Sequence, residues 1–450
     1  MNPRLFPTVS RHVLDLARLA GPVILSRAGL MVMMVVDAIM VGRFSTQELA
    51  YQAIGLAPLM FVMVTSFGLL MGTLVRTAYN VGAGTPENCG SVWQRSLGYA
   101  LVISAIGFTA SCFGTEFLIL TGQEQNIAAG GGEVILILGY SIPFMLVFIT
   151  SAFFLDGLKR PKPGMYLMIA ANILNIAFNW VLVFGNLGLP AMGASGSAWA
   201  SFGVRVFSAI VIVWYIWNLQ DRDLFCIRKR STRNWSSWAH QRRIGYSAGL
   251  SNGIESAAFS AMNIFAGLLG TLPLAAFSVA FNNLALVFMI ALGIGTATAV
   301  CVGNAHGRRD ARDMAYAGWT GLGLTVLVMA LLGLPLILIP DLIASIFSTD
   351  LNLISAAAPM IAFLFFVLIA DGSQTVMAHA LRGRSETWVP AVLHVVSYLV
   401  IMIPSGWLLS HSLGHGAIGL FEGILIASLV SVSLLSARFW WLCRRETSPV

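Results

Sequence analysis

Charged residues are scarce in this chain of 450 residues. Only 10% are Asp, Glu, Lys or Arg, whereas 57% are hydrophobic and the mean hydropathy is +0.82. A soluble domain carries about 25% charged residues, so the composition excludes the soluble classes. A helix needs about 20 mostly apolar residues to cross a bilayer, and runs without an internal charge recur at 100–113, 134–154, 324–339 and 356–370. The composition therefore predicts an all-α membrane protein.

Cysteine is also rare, and familiar signatures of metal and catalytic sites are missing. The five cysteines are odd in number and scattered, which disfavours both a disulfide framework and a zinc site. The chain has no His-Glu-x-x-His motif, the usual mark of a zinc hydrolase. We therefore predict no enzyme activity, no resident cofactor, and no metal ion apart from a transported Na⁺.

What the chain does have is a series of twelve long apolar segments. We predict transmembrane spans at about 16–42, 52–79, 96–120, 131–155, 163–185, 193–218, 245–270, 276–303, 317–339, 354–380, 388–409 and 416–441. The longest loop carries seven basic residues and separates the first six spans from the last six. We divide the chain into an N-lobe (1–218), a basic cytoplasmic linker (219–243) and a C-lobe (244–450).

The two halves are related by an internal repeat. A shift of 225 residues aligns nine identical residues in spans 2 and 8 and their flanks, among them Thr46 with Thr271, Gly68 with Gly293 and Gly82 with Gly307. Six spans per half make the repeats parallel, and two such halves rocking about a central cavity provide alternating access. The sequence therefore predicts a transporter with two six-helix lobes.

Basic residues are concentrated in the loops that follow even-numbered spans. The loops after odd-numbered spans hold Arg43 alone. The positive-inside rule then places both termini in the cytoplasm, and the same bias explains the sequence pI of about 9.4 without a nucleic acid partner.

Three carboxylates lie well inside predicted spans, where each costs about 2.5–3.5 kcal/mol on insertion scales. Asp37 lies in span 1, Glu255 in span 7 and Asp371 in span 10. Such residues commonly serve ions, protons or substrates. Two carboxylates at close range cannot both stay ionised without a partner, so Glu255 and Asp371 resemble a pair that shares a proton or a cation.

Span 5 offers a polar face that could complete a site around Asp37. Asn172, Asn175 and Asn179 are three and four residues apart, so they share one helix face. Amide and carboxylate oxygens are hard ligands suited to Na⁺, and burial can equally favour a protonated carboxyl group. The alternative is that the asparagines only join helices. Asn252, one turn before Glu255, is a further polar neighbour.

Two arginines are the basic counterparts of these acids. Arg27 lies in span 1 and Arg205 in span 6, one turn after Ser201. Either arginine could pair with Asp37 and neutralise it, which would make Arg27 and Arg205 modulators of the site. In the second half of the chain, we expect no arginine near the middle of a span.

The order and spacing of several motifs resemble those of the multidrug and toxic compound extrusion (MATE) family, in its NorM-type branch. The resemblance covers almost the whole chain, and its motifs are 22–25, 36–42, 156–165, Asn175-x-x-x-Asn179, 286–295 and 381–383. It implies a V-shaped pair of six-helix lobes in a bacterial inner membrane. The implied activity is antiport, in which organic cations leave and Na⁺ or H⁺ enters.

The resemblance also assigns residues. It implies a cation site in the N-lobe formed by Asp37, Asn175, Asn179 and Ser201, and a second in the C-lobe formed by Glu255 and Asp371. In some sodium-coupled members a tyrosine precedes the acid of span 10 by one turn, but this chain has Val367 there.

The partners implied are small organic cations, Na⁺ or H⁺ and the lipid bilayer, and the protein is expected to be a monomer. A lipid-linked oligosaccharide flippase of the same two-lobe architecture is the alternative, and the two arginines favour it.

Overall fold

The computed structural model describes residues 5–229 and 236–447, and these residues form twelve long helices joined by short loops. The helices are α1 (Leu5–Phe44), α2 (Thr46–Gly82), α3 (Cys89–Ser111), α4 (Gln125–Gly157), α5 (Lys162–Leu182), α6 (Gly193–Trp217), α7 (Ala239–Leu268), α8 (Thr271–Gly307), α9 (Ala311–Leu338), α10 (Leu351–Gly383), α11 (Trp388–Ser412) and α12 (Ala417–Thr447). They follow the twelve predicted spans in order.

Most of these helices are long and apolar enough to cross a membrane. Among the described residues, ten helices meet this test: α1, α2, α4 to α6 and α8 to α12. The bent pair Pro86–Ser111 and Gly114–Leu120 forms an eleventh candidate. Helix α7 is 30 residues long but more polar than the others, because Asn252, Glu255 and several serines lie along it.

The third span differs from the single helix predicted over 96–120. Helix α3 ends at Ser111, and a short helix, Gly114–Leu120, follows at an angle of 55°. At the bend, Gly114 packs so closely against α4 that a Cβ would lie 2.9 Å from the Cβ of Ile135. Only a glycine allows this approach, and the chain turns where it occurs.

Helix α11 departs from regular α-helix. Its residues Val395–Met402 and Leu408–Ser412 are π-helical. A π-helical turn rotates the side chains that follow it relative to a regular helix, and such turns are frequent at functional sites. Pro404, just after the first of these stretches, removes one backbone donor from the helix.

The chain forms two compact units. Of the described residues, the N-terminal unit contains 25–81, 85–229 and 236–241, and the C-terminal unit contains 5–24, 82–84 and 242–447. Helix α1 therefore contributes to both units. Its first part packs in the C-terminal unit, where Leu16 and Ala20 form a buried cluster with Ile294, Ala297 and Val376.

The described first part of the loop after α6 belongs to the N-terminal unit. The backbone NH of Gly90 donates to Phe225 O at 2.9 Å, and Gln94 Nε2 donates to Ile227 O at 2.7 Å. Further along, Gln241 Nε2 donates to Ser96 Oγ at 2.5 Å. Both ends of the predicted linker are thus fixed to α3 by hydrogen bonds.

Candidate functional site

A hydrogen-bonded carboxylate lies inside the N-terminal unit, where α1, α5 and α6 meet. Asp37 Oδ1 accepts hydrogen bonds from Asn175 Nδ2 at 3.0 Å and Asn179 Nδ2 at 2.7 Å, and Asp37 Oδ2 accepts one from Ser201 Oγ at 2.9 Å. Both asparagines are fully buried, and Asp37 is 6% exposed. The structure thus brings together the four residues that the sequence analysis grouped.

The two asparagines leave oxygen atoms without a partner. Asn175 Oδ1 and Asn179 Oδ1 are buried and accept no hydrogen bond within the described part of the chain. Leaving a buried acceptor unsatisfied costs about 1–3 kcal/mol, and oxygens of this type are the ligands that hard cations prefer. The cluster therefore offers a carboxylate, a hydroxyl and two amide oxygens within one small volume.

Asp37 borders an apolar cavity of about 80 Å³ inside the same unit. Six methionines line it, together with the polar residues Gln52, Ser201 and Arg205; the methionines are Met33, Met34, Met60, Met63, Met145 and Met168. Thioether side chains are flexible and polarisable, and they adapt to apolar ligands of different shape. The cavity thus combines an adaptable wall with a few fixed polar groups.

The residues predicted as modulators take different places. Arg205 lines the cavity and interacts electrostatically with Asp37, while its Nη1 donates to Ser141 Oγ at 2.6 Å. Arg27 does not pair with Asp37. Its Nη2 lies 3.7 Å from Asp156 Oδ2, and its guanidinium packs over the rings of Phe67 and Phe153.

Asn172 also lies apart from the Asp37 cluster. Its Nδ2 donates to Gly29 O at 3.1 Å and to Met168 O at 2.9 Å, so it joins α5 to α1. Asn252 remains beside Glu255, one turn earlier on α7.

The two acids of the C-terminal unit are brought together by one glutamine. Gln374 Nε2 lies 3.4 Å from Glu255 Oε1 and 3.3 Å from Asp371 Oδ1. Asp371 is buried, whereas Glu255 is half-buried. Helices α7 and α10 therefore place the predicted pair at one polar cluster, as their positions in the sequence suggested.

Three other side chains in this cluster were missed by sequence reasoning. Tyr398 of α11 donates its hydroxyl to Glu255 Oε1 at 2.9 Å, Ser428 of α12 donates to Asp371 Oδ1 at 3.2 Å, and Arg382 interacts electrostatically with Glu255. The sequence feature that could identify Tyr398 is a tyrosine, with its polar hydroxyl, in the middle of an apolar span. A tyrosine hydroxyl is thus present, although Val367 occupies the place that the resemblance indicated.

Arg382 lies in the last turn of α10, so the expectation that no arginine lies near the middle of a span in the second half is not contradicted, but Arg382 is inside the helix and not in a loop. The sequence analysis placed it in a loop after residue 380, but α10 continues to Gly383 and Arg382 is only 2% exposed. Residues 371 and 382 are three helical turns apart on nearly the same face of the helix. The basic end of α10 is therefore part of the polar cluster.

Comparison with known proteins assigns the family. The MatE family model matches the chain twice, at residues 22–181 and at 248–408. The chain belongs to the MATE family. The double match, one in each half, also confirms the internal repeat. Because MATE proteins are transporters, this chain is not an enzyme. The sequence also contains two overlapping Gly-x-Ser-x-Gly strings, at 245–249 and 249–253, a pattern that in hydrolases marks a nucleophilic serine at a strand-to-helix turn; here both strings lie within helix α7.

Relatives in bacteria share most of the chain. It is 37% identical over 442 residues to a probable multidrug resistance protein NorM of Caulobacter vibrioides, covering 97% of this chain and 93% of that protein. It is 31% identical over 452 residues to a protein of the same description from Burkholderia pseudomallei, covering 99% and 95%.

Solved MATE structures have the same fold. The eukaryotic MATE transporter AtDTX14 matches with a TM-score of 0.88 at 19% identity, over 98% of this chain and 99% of that chain. An outward-facing multidrug resistance MATE transporter matches with a TM-score of 0.89 at 19% identity, over 97% and 96%. The predicted all-α membrane fold with two six-helix repeats is confirmed.

Proposed function

We propose that this MATE transporter is a secondary antiporter that exports organic cations from a bacterial cell in exchange for inward Na⁺ or H⁺. The observation that carries the proposal is the buried Asp37, which accepts hydrogen bonds from Asn175, Asn179 and Ser201 and borders a methionine-lined cavity. The bacterial relatives are described as multidrug resistance proteins, and that role agrees with an adaptable apolar wall of this kind.

The mechanism is competition for the carboxylate. When the cavity is open to the cytoplasm, ionised Asp37 attracts the positive charge of an amphipathic compound, and the methionines contact its apolar part. When the cavity opens outward, Na⁺ or H⁺ binds the carboxylate and removes that attraction. Each inward elementary charge supplies about 2.3 kcal/mol per 100 mV of membrane potential, so one or two coupling ions can sustain a substrate gradient.

The acids of the C-terminal unit are a second place for the coupling ion. Glu255 and Asp371 are linked through Gln374 Nε2, and the Tyr398 hydroxyl and Gln374 Oε1, which accepts from Ser431 Oγ, are further oxygen ligands in the cluster. Arg382 adds a fixed positive charge near Glu255. Because Arg205 likewise lies near Asp37, a nearby guanidinium does not distinguish the two clusters; we infer that the Asp37 cluster is the primary coupling site because it borders the methionine-lined cavity.

The test is transport by the purified protein in liposomes. A fluorescent organic cation is followed under an imposed Na⁺ gradient and then under an H⁺ gradient. We expect one of the two gradients to drive the dye, and Asp37→Asn to lose at least about tenfold of the gradient-driven rate, because the neutral side chain cannot exchange one cation for another. Glu255→Gln and Asp371→Asn test the second cluster and are expected to have the smaller effect.

A matched control is Asp341→Asn, which removes an exposed carboxylate on the short helix Pro340–Ser345. It should transport like the wild type. If the wild type moves no organic cation under either gradient, the antiport proposal fails. Transport that survives Asp37→Asn would instead move the coupling site to Glu255 and Asp371.

A lipid-linked oligosaccharide flippase is the second candidate. The guanidinium of Arg205 in the cavity favours it, since a pyrophosphate group needs positive charge. Against it, Asp37 lies in the same cavity and Arg27 is already paired with Asp156. Antiport of cations therefore remains the better-supported function.

A further inference from the structure

The cavity of the N-terminal unit is lined by one acid and one base. Among the described residues that form its wall, Asp37 and Arg205 alone are charged. A site for a simple cation needs only the carboxylate. The guanidinium beside it raises the energy of a bound cation, so the export of cations alone does not explain Arg205.

Arg205 is held by one nitrogen only. Its Nη1 donates to Ser141 Oγ, and Ser141 Oγ in turn donates to Leu138 O at 2.5 Å. In the part of the chain that the structure describes, neither its Nε nor its Nη2 makes a hydrogen bond to protein. A guanidinium has five N–H groups, and Arg205 is half-buried at the cavity wall. It therefore presents free donors to whatever enters the cavity.

Asp37 does not use these donors. Its two oxygens are occupied by Asn175, Asn179 and Ser201, and its attraction to Arg205 is electrostatic without a hydrogen bond. An ion pair of this kind leaves the planar guanidinium available for a second oxyanion, and two parallel N–H groups fit a carboxylate. The two charges thus remain separate recognition points.

The helix sets the distance between the two points. Ser201, which contacts Asp37, and Arg205 are one turn apart on α6, and four residues of helix rise about 6 Å. The cavity of about 80 Å³ is smaller than the several hundred cubic ångströms, about 300–1,000 Å³, that a whole drug-sized molecule fills. It therefore holds the charged end of a substrate, not the whole compound.

We propose that Arg205 binds an anionic group of the exported compound, so that this transporter prefers amphipathic zwitterions, in which a cationic group and a carboxylate lie about one helical turn apart, over simple organic cations. The inference rests on the proposed export function and names the substrate class of the same cavity. Ser141 is then a positioning residue, because it orients the guanidinium without contacting the compound.

The experiment uses two dyes that differ only in the carboxylate: a rhodamine with a free benzoate, which is zwitterionic, and its methyl ester, which is a cation. Transport into liposomes and binding to the purified protein, followed by fluorescence anisotropy without any gradient, are both measured. We expect the wild type to favour the free acid. In Arg205→Gln the ratio of free acid to ester should fall at least about tenfold, the loss of one hydrogen-bonded charge pair.

Arg205→Lys keeps the charge but not the planar pair of donors, so its ratio should lie between those of the wild type and Arg205→Gln. A parallel loss of both dyes would overturn the proposal, because Arg205 would then act only on Asp37 or on folding. A wild type that binds the ester more tightly than the acid would overturn it without any variant. A protein that binds both dyes but transports neither would refute the antiport function and leave the binding preference measurable.

Discussion

At the scale of single residues, one hydroxyl in the C-terminal unit has a measurable role in stability. Tyr398 donates to Glu255 Oε1 at 2.9 Å and is fully buried. Hydrogen bonds to charged groups contribute about 1.5–3 kcal/mol, so we expect Tyr398→Phe to lower the thermal midpoint of the purified protein clearly. The measurement is fluorescence-detected unfolding in detergent.

The matched control for this change is Tyr166→Phe, since Tyr166 is 62% exposed. It should leave the midpoint within experimental error. If Tyr398→Phe leaves the thermal midpoint unchanged, the hydrogen bond of the Tyr398 hydroxyl in the folded protein is no more favourable than its hydration in the unfolded chain. The stability of the polar cluster would then depend on its other contacts, those of Gln374 and Ser428 among them.

Residue positions in the Asp37 cluster were largely predictable, and those around Glu255 were not. Asn175 and Asn179 share a helix face because they are four residues apart, and that follows from helix geometry alone. Tyr398 and Ser428 reach Glu255 and Asp371 only through the packing of four different helices. Sequence spacing within one helix cannot predict contacts between helices, so these partners were missed.

At the scale of helices, a buried ion pair joins α1 to α4. Arg27 and Asp156 lie 3.7 Å apart, and both side chains are less than 10% exposed. Removing one partner of a buried pair leaves an uncompensated charge, at a cost of about 3–5 kcal/mol. We expect Arg27→Gln and Asp156→Asn each to lower the thermal midpoint strongly.

The double variant, with both Arg27 and Asp156 replaced, tests whether the two side chains stabilise the protein together or independently. With both charges removed, no buried charge is left unpaired, so the double variant should be more stable than the sum of the two single losses predicts. Simple additivity in this double-mutant cycle would show that the two groups do not interact. Gradient-driven transport measured on the same proteins would then tell whether Arg27 affects coupling as well as folding.

The helices themselves were predictable in number and order, but not in their irregularities. Long apolar segments predict spans because the bilayer sets the required length. The break after Ser111 instead coincides with the close contact of Gly114 with Ile135, and the π-helical turns of α11 occur within a segment that is apolar throughout. Such local departures arise from packing, which the hydropathy of a segment does not record.

At the scale of the whole molecule, the internal repeat was readable because register is preserved over many residues. The offset of 225 residues joins Gly68 to Gly293 and Gly82 to Gly307, and the family model matches both halves at nearly the same offset. Isolated identities between apolar helices carry little information, since few residue types occur in them. A constant offset across two spans and their flanks is much harder to obtain by chance.

The orientation of the molecule is a separate prediction. The excess of Arg and Lys in loops after even-numbered spans places those loops and both termini in the cytoplasm. In a variant whose five native cysteines are replaced by alanine, we expect a membrane-impermeant maleimide to label Glu124→Cys in intact cells. Leu224→Cys should be labelled only after the cells are permeabilised.

Both positions are exposed, Glu124 after α3 and Leu224 after α6, so access to the reagent depends on the side of the membrane rather than on burial. The opposite labelling pattern would invert the topology. It would not reverse the direction of transport, because an inward Na⁺ or H⁺ gradient drives the exchanged compound outward whichever way an alternating-access antiporter lies in the membrane. Labelling thus decides which loops face the cytoplasm, whereas the direction of transport depends on the ion gradient.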